Sequence, residues 1–169
     1  MSRPDKITGG CLCSSVRYTV SFTPSQWPPQ TSNCQCTTCR KWTTTLISHA
    51  IIISSSQLSD IASCPTYTEY QSSADASRAF CSKCGSGLIW KSEKIMPGKF
   101  VLMTGTIDEE FIMGKRKGSG KETEMGTEVE WEGGFGEELC KPQISMFWEN
   151  VVKGITDFDM GQKKFLQDM

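Results

Sequence analysis

Short stretches in which apolar and polar residues alternate recur along most of this chain. Val16-Arg-Tyr-Thr-Val20, followed by Phe22, alternates as a half-buried strand does. Thr43 to Ile53 is rich in Thr and Ile, which suit a pleated, extended backbone, and Thr66 to Tyr70 alternates Thr and Tyr with other residues. Leu88 to Trp90, Phe100 to Thr106 and Ile144 to Trp148 predict three more strands, and Trp27-Pro28-Pro29 breaks the chain into a loop. Helical periodicity is scarce: Asp108 to Met113 and Asn150 to Ile155 each predict one short turn. The pattern is that of a mainly β protein with few short helices.

Residues 114–138 differ in texture. Gly114-Lys-Arg-Lys-Gly-Ser-Gly-Lys-Glu is charged, glycine-rich and almost free of apolar residues, which predicts a long surface loop. Val129, Trp131 and Phe135 offer anchors by which its second half packs back on the body. There is no internal repeat and no linker, and a length of 169 residues suits one domain over residues 1–169.

Charge and hydropathy narrow the function. Eighteen Lys and Arg stand against nineteen Asp and Glu, a net charge of -1. That balance gives no broad attraction to nucleic acid or to anionic membranes. No apolar run approaches the roughly 18 residues of a membrane span, and Met1 to Ile7 has no apolar signal core. The expected location is the cytosol, with the nucleus left open. A homo-oligomer is also left open.

The nine cysteines change the picture most. In a reducing compartment they are not expected to be disulfides, and an odd count fits a complete disulfide framework badly. Seven fall in three tight groups: Cys11-Leu-Cys13, Cys34-Gln-Cys36-Thr-Thr-Cys39 and Cys81-Ser-Lys-Cys84. A C-x-x-C turn brings two thiolates onto one tetrahedral ion, and Gly85 after the third group permits the left-handed residue that often ends such a turn. Seven ligands divide naturally as four plus three. Four thiolates close a structural site, whereas three leave one position for water or a substrate sulfur. The only group of three is Cys34, Cys36 and Cys39, which makes it the candidate open site, with Cys11, Cys13, Cys81 and Cys84 as the closed one. Spacing leaves open that one group borrows a ligand from another, or from His49.

At these residues the chain resembles the glutathione-dependent formaldehyde-activating enzyme family, also called the centromere protein V-like family. Gly9-Gly-Cys-Leu-Cys-Ser-Ser-Val-Arg17 is similar to the family's G-x-C-x-C-G-x-V-R, and Cys34-Gln-Cys-Thr-Thr-Cys-Arg-Lys41 to its C-H-C-x-x-C-R-K. Phe80-Cys-Ser-Lys-Cys-Gly-Ser86 resembles F-C-x-x-C-G-S, and Gly105-Thr-Ile-Asp108 resembles G-T-L-D. The resemblance runs from about Thr8 to Phe158. It implies coiled antiparallel sheets organised around zinc, an Mss4-like fold. It implies two Zn2+ per chain, structural at Cys11, Cys13, Cys81 and Cys84 and catalytic at Cys34, Cys36 and Cys39. It also implies carbon–sulfur bond formation and cleavage on glutathione adducts. Gln35 stands where the family usually has His, Ser14 where it has Gly, and Thr43-Thr44 where it has a glycine-containing step.

A metal held by three thiolates can take a fourth thiol and lower its pKa. The bound sulfur then adds to an electrophilic carbon, or leaves one, which is lyase chemistry. The expected partner is therefore a small-molecule thiol or thiol adduct. Arg40 and Lys41 follow the last ligand and are candidates to pair with carboxylates of a glutathione-like substrate, against the plainer reading of a solvated pair. A dehydratase or cyclase acting on a larger metabolite, and a non-catalytic zinc-stabilised binding module, are the competing functions. His49 is expected in the core, Cys64 and Cys140 as free packed thiols, and Trp42, Trp90 and Trp148 as core or pocket wall.

Overall fold

The computed structural model describes residues 2–158 and 163–165. Its strands are β1 (Lys6–Gly10), β2 (Arg17–Ser21), β3 (Gln30–Cys34), β4 (Ser48–Ser54), β5 (Tyr67–Ser73), β6 (Ala76–Cys81), β7 (Gly87–Lys91), β8 (Lys99–Met103), β9 (Lys115–Thr123), β10 (Gly126–Glu132), β11 (Ile144–Met146) and β12 (Lys163–Lys164). Three short helices accompany them: α1 (Thr37–Thr43), α2 (Glu109–Ile112) and α3 (Gly136–Cys140). Eight strands form one sheet in the order β12-β11-β3-β4-β8-β7-β6-β5, while β1-β2 and β9-β10 are separate two-stranded ribbons. The protein is mainly β, as its sequence predicts.

The two faces of the large sheet do different work, because side chains alternate across a strand. One row runs Thr31, Ile51, Leu102, Ile89, Ala79 across five strands, and all five are buried. This face shares one apolar core with Ile7, Val16, Tyr18, Val20 and Phe22 of the β1–β2 ribbon and its flanks. The neighbouring row, Gln30, Ile52, Val101, Trp90, Arg78, lies on the other face and floors a cavity.

The β1–β2 ribbon is locked to the sheet by residues from two of the sequence motifs. Arg17 donates two hydrogen bonds to the Asp108 carboxylate, Tyr18 Oη lies 2.8 Å from Thr106 Oγ1, and Asp108 N donates to Thr8 O at 3.0 Å. A Cβ on Gly9 would sit 2.2 Å from Tyr18 Oη and 2.3 Å from Thr106 O. Only glycine lets these three segments approach so closely.

The structure corrects some sequence expectations. The stretch from Thr43 is not all strand: α1 occupies Thr37–Thr43, Thr44 ends it in a left-handed conformation (φ 56°), and β4 starts at Ser48. A capping contact forms this helix, not a run of good helix formers. The strand from Phe100 stops at Met103 and gives way to a tight 3-10 turn at Thr104–Thr106. The strand from Ile144 stops at Met146, before Phe147 at φ 56°. Residues 114–138 are not a loop but the β9–β10 ribbon followed by the start of α3. Both faces of the ribbon meet solvent, so no apolar alternation marks it. Trp131 stays exposed, while Phe135 packs edge-on against Trp27 with centroids 5.3 Å apart.

Candidate metal centres and their cavity

Cys11 and Cys13 lie in the turn between β1 and β2, and Cys81 and Cys84 bracket the turn between β6 and β7. The four sulfurs lie within 4.8 Å of one another. Cys11 Sγ is 3.6 Å from Cys13 Sγ, which is 3.8 Å from Cys81 Sγ. Thiolates at about 2.3 Å from a tetrahedral ion sit about 3.8 Å apart, whereas a disulfide needs about 2.0 Å. The donor set thus fits a metal ion.

Each turn is built to hold its sulfurs. Gly85, at φ 78°, donates to Cys81 O at 2.8 Å, and Cys81 N donates to Ser86 O at 3.0 Å. In the other turn Ser14 adopts φ 59° while its N–H donates to Cys11 O at 2.9 Å, and Val16 N donates to Cys11 Sγ at 3.3 Å. Leu12 N donates to Ser86 Oγ at 3.0 Å and so ties one turn to the other. Without a metal, burial raises the Cys11 thiol to about 11, and hydrogen bonding from Ser86 lowers Cys84 to about 5.

The second set sits where β3 runs into α1. Cys34 ends the strand, Cys36 caps the helix, accepting from Cys39 N at 3.2 Å on Sγ, and Cys39 lies in the first turn. These three sulfurs also lie within 4.8 Å of one another. Hydrogen bonds from Cys34 and then Cys39 hold Cys36 down to about 2, while the same cluster pushes the Cys34 thiol up.

The two sets differ in what surrounds them. Cys34, Cys36 and Cys39 line a cavity of about 760 Å3, while none of Cys11, Cys13, Cys81 and Cys84 does. The cavity floor is the sheet face described above, with Ala50 and Met103 beside Ile52 and Val101. Trp42 and Phe147 line it too. Trp42 also covers Gly87, where a Cβ would meet the indole at 3.1 Å.

The sequence missed one residue that matters here, Arg78. It comes from β6 and is 6 % exposed. Its Nη2 lies 3.8 Å from Cys39 Sγ, its guanidinium stands 5.6 Å from the centroid of the Trp42 ring, and Nη1 donates to Ser72 Oγ. Its Nε is buried without a hydrogen-bond partner among the described residues. Ala76-Ser-Arg-Ala-Phe-Cys81 does not alternate cleanly, so the sequence carried little signal; it is the pairing of β6 with β7 that sets Arg78 opposite Trp90.

Arg40 and Lys41 are placed differently from the sequence expectation. Arg40 Nε donates to Leu46 O at 2.9 Å, and Nη2 donates to Asn150 O at 2.6 Å and Gln35 Oε1 at 3.1 Å. Neither Arg40 nor Lys41 lines the cavity. Gln35 is buried, and its Oε1 also accepts from Thr156 Oγ1 at 2.7 Å. The Gln35–Arg40 pair thus braces the turn that carries Cys34, Cys36 and Cys39 against residues 150–156. His49 lies outside both cysteine sets, half-buried on β4, and burial holds its pKa below the ordinary value. Cys64 and Cys140 pack against the apolar core.

The sequence profile of the glutathione-dependent formaldehyde-activating enzyme family matches residues 6–124, which contain all seven clustered cysteines. The chain belongs to this family. No curated protein matches it. Among solved structures, a Rhodobacter sphaeroides protein is similar at 20% identity and TM-score 0.47, over 60% of this chain and 88% of that one. The departures from the family pattern now have positions. Ser14 and Thr44 both carry the positive φ that glycine adopts without strain, and Gln35 faces away from the cavity into its brace. Among the described residues, no helix is long and apolar enough to cross a membrane.

Proposed function

We propose that this protein is a zinc-dependent carbon–sulfur lyase acting on thiol adducts, with glutathione adducts as the family precedent. In this reading Cys11, Cys13, Cys81 and Cys84 hold a structural zinc, and Cys34, Cys36 and Cys39 hold a catalytic one. The observation that carries it is the difference between the two sets: three sulfurs open onto a large cavity, and four lie away from it. Bound there, zinc supplies a fourth position at which a thiol loses its proton near neutral pH.

The chain's own residues do the rest. The β3–α1 junction fixes the three sulfurs, and the Cys36 cap holds the first helical turn in place. Ile52, Val101 and Trp90 of the floor keep water from the electrophilic carbon, and Arg78 places a permanent positive charge beside Cys39. Free and metal-bound thiolates of this kind suit a reducing, cytosolic setting.

The test is metal content with turnover. Purified protein is expected to carry about two zinc ions per chain and to cleave a thiol adduct. Cys36→Ser is expected to fold, retain the four-cysteine ion and lose turnover. Full activity in Cys36→Ser would overturn the proposal. The cavity volume also favours a second reading, a zinc-dependent dehydratase or cyclase acting on a larger metabolite. Turnover of a bulky substrate with no thiol requirement would select it.

A further inference from the structure

The cavity is informative about the second reactant, the carbon electrophile. Its volume, about 760 Å3, falls within the roughly 300–1,000 Å3 range of sites for drug-sized ligands. Glutathione carries two carboxylates and one ammonium, so a site built for the whole tripeptide needs several charged partners. Among the described residues that line this cavity, the charged ones are Arg78, Glu149 and Lys163, and the last two are exposed. The cavity's sheet floor combines Ile52, Trp90, Val101 and Met103 with the uncharged polar Gln30, Ser32 and Ser48, and Phe147 also lines the cavity. Arg78 alone puts a buried charge into it, with Nε unpartnered and Nη2 3.8 Å from Cys39 Sγ.

We infer that the electrophile is a large, mostly apolar α,β-unsaturated ketone whose carbonyl oxygen accepts from Arg78. The inference rests on the metal–thiolate reading above. Three thiolates on a divalent ion leave one net negative charge, which Arg78 balances. A carboxylate would add a further negative charge to an apolar cavity, whereas a neutral carbonyl adds none and only takes over the charge that the sulfur gives up. The reaction needs no oxidant or reductant. The thiol proton passes to solvent and the sulfur bonds to the β-carbon. The alkene π pair shifts through the conjugated system onto the carbonyl oxygen, where Arg78 meets the new charge. A proton from solvent then reaches the α-carbon and restores the ketone. The reverse order expels the thiolate. Arg78 is thereby a catalytic residue, since it touches the atom on which charge develops.

Two probes of equal ring size test this by calorimetry: 2-acetylnaphthalene, an unreactive ketone, and 2-ethylnaphthalene, which lacks the oxygen. Metal content is read on the same samples. Wild type is expected to bind the ketone about tenfold more tightly than the hydrocarbon, as a hydrogen bond to a charged donor provides. Arg78→Met is expected to lose that preference with its metal content unchanged, and Arg78→Lys to keep part of it. Val101→Trp, which fills the floor, is expected to lose both probes. Equal affinities in wild type, a preference that survives in Arg78→Met, or loss of metal in Arg78→Met each overturn the assignment. So does Val101→Trp binding both probes as wild type does. Failure of both probes to bind a metal-loaded wild type overturns this assignment and leaves the metal reading standing. Arg78-dependent ketone binding by a protein that takes up no metal does the opposite.

Discussion

Replacing one cysteine in each set should cost stability unequally, and the structure sets the difference. The closed set joins positions far apart, since Cys13 and Cys81 are 68 residues apart in the chain. Cys34 and Cys39 are only five residues apart, at one strand–helix junction. By the loop-closure relation, a cross-link over such a long segment raises the free energy of the unfolded chain by about 4 kcal/mol, and one over five residues by about 2 kcal/mol. Cys81→Ser also puts a hydroxyl where a fully buried sulfur was, which adds to its cost. With release of its own ion, Cys81→Ser is therefore expected to lose about 4 kcal/mol or more, and Cys36→Ser about 2 kcal/mol. For a domain of this size these losses correspond to melting points lower by roughly 8–16 °C and 4–8 °C. Urea unfolding of both variants beside wild type, with metal content measured on each sample, makes the comparison. If Cys36→Ser loses as much stability as Cys81→Ser while the other ion stays bound, the division into a tying site and an open site is wrong.

Two further expectations concern the frame. Thr44 is a β-branched residue at φ 56°, a conformation that costs about 1–2 kcal/mol for an L-residue. Thr44→Gly should therefore stabilise by about 0.5–1 kcal/mol after the entropy of the freer unfolded chain is subtracted, and an unchanged or lower urea midpoint would refute it. Hydrogen bonds from Arg17 hold the Asp108 carboxyl below its ordinary pKa, so the pair contributes in full at neutral pH. Its contribution is lost only as pH falls from about 3.9, the usual carboxylate value, through the lower folded-state pKa. Arg17 is 46% exposed, so Asp108→Asn should cost only about 1 kcal/mol at pH 7 in a thermal melt. A loss well above that would mean the β1–β2 ribbon is held mainly by this carboxylate.

The residues of the two cysteine sets were legible because their chemistry is local. A C-x-C or C-x-x-C turn brings its sulfurs together whatever the rest of the chain does, and the Gly85 turn was readable for the same reason. The strands that were read, such as β2 and β7, have one or both faces in the core, so alternation or an apolar run marks them. The β9–β10 ribbon was not readable as strand because solvent bathes both its faces, and α1 was hidden because a sulfur cap and Thr44 define it.

The sequence by itself therefore determined a mainly β chain with seven clustered thiols, grouped so that four and three could each gather on an ion. Only the tertiary structure decided what those groups face. Arg78 stands 39 residues from Cys39 in sequence, and it reaches that sulfur because strand register puts it on the cavity face beside Trp90. Arg40 is one residue from Cys39, yet its guanidinium is bonded to Leu46, Asn150 and Gln35. Spacing along the chain governs which side chains one turn can gather. Which side chains from distant strands share a face is fixed by hydrogen-bond register, because a shift of one residue exchanges the two faces of a strand.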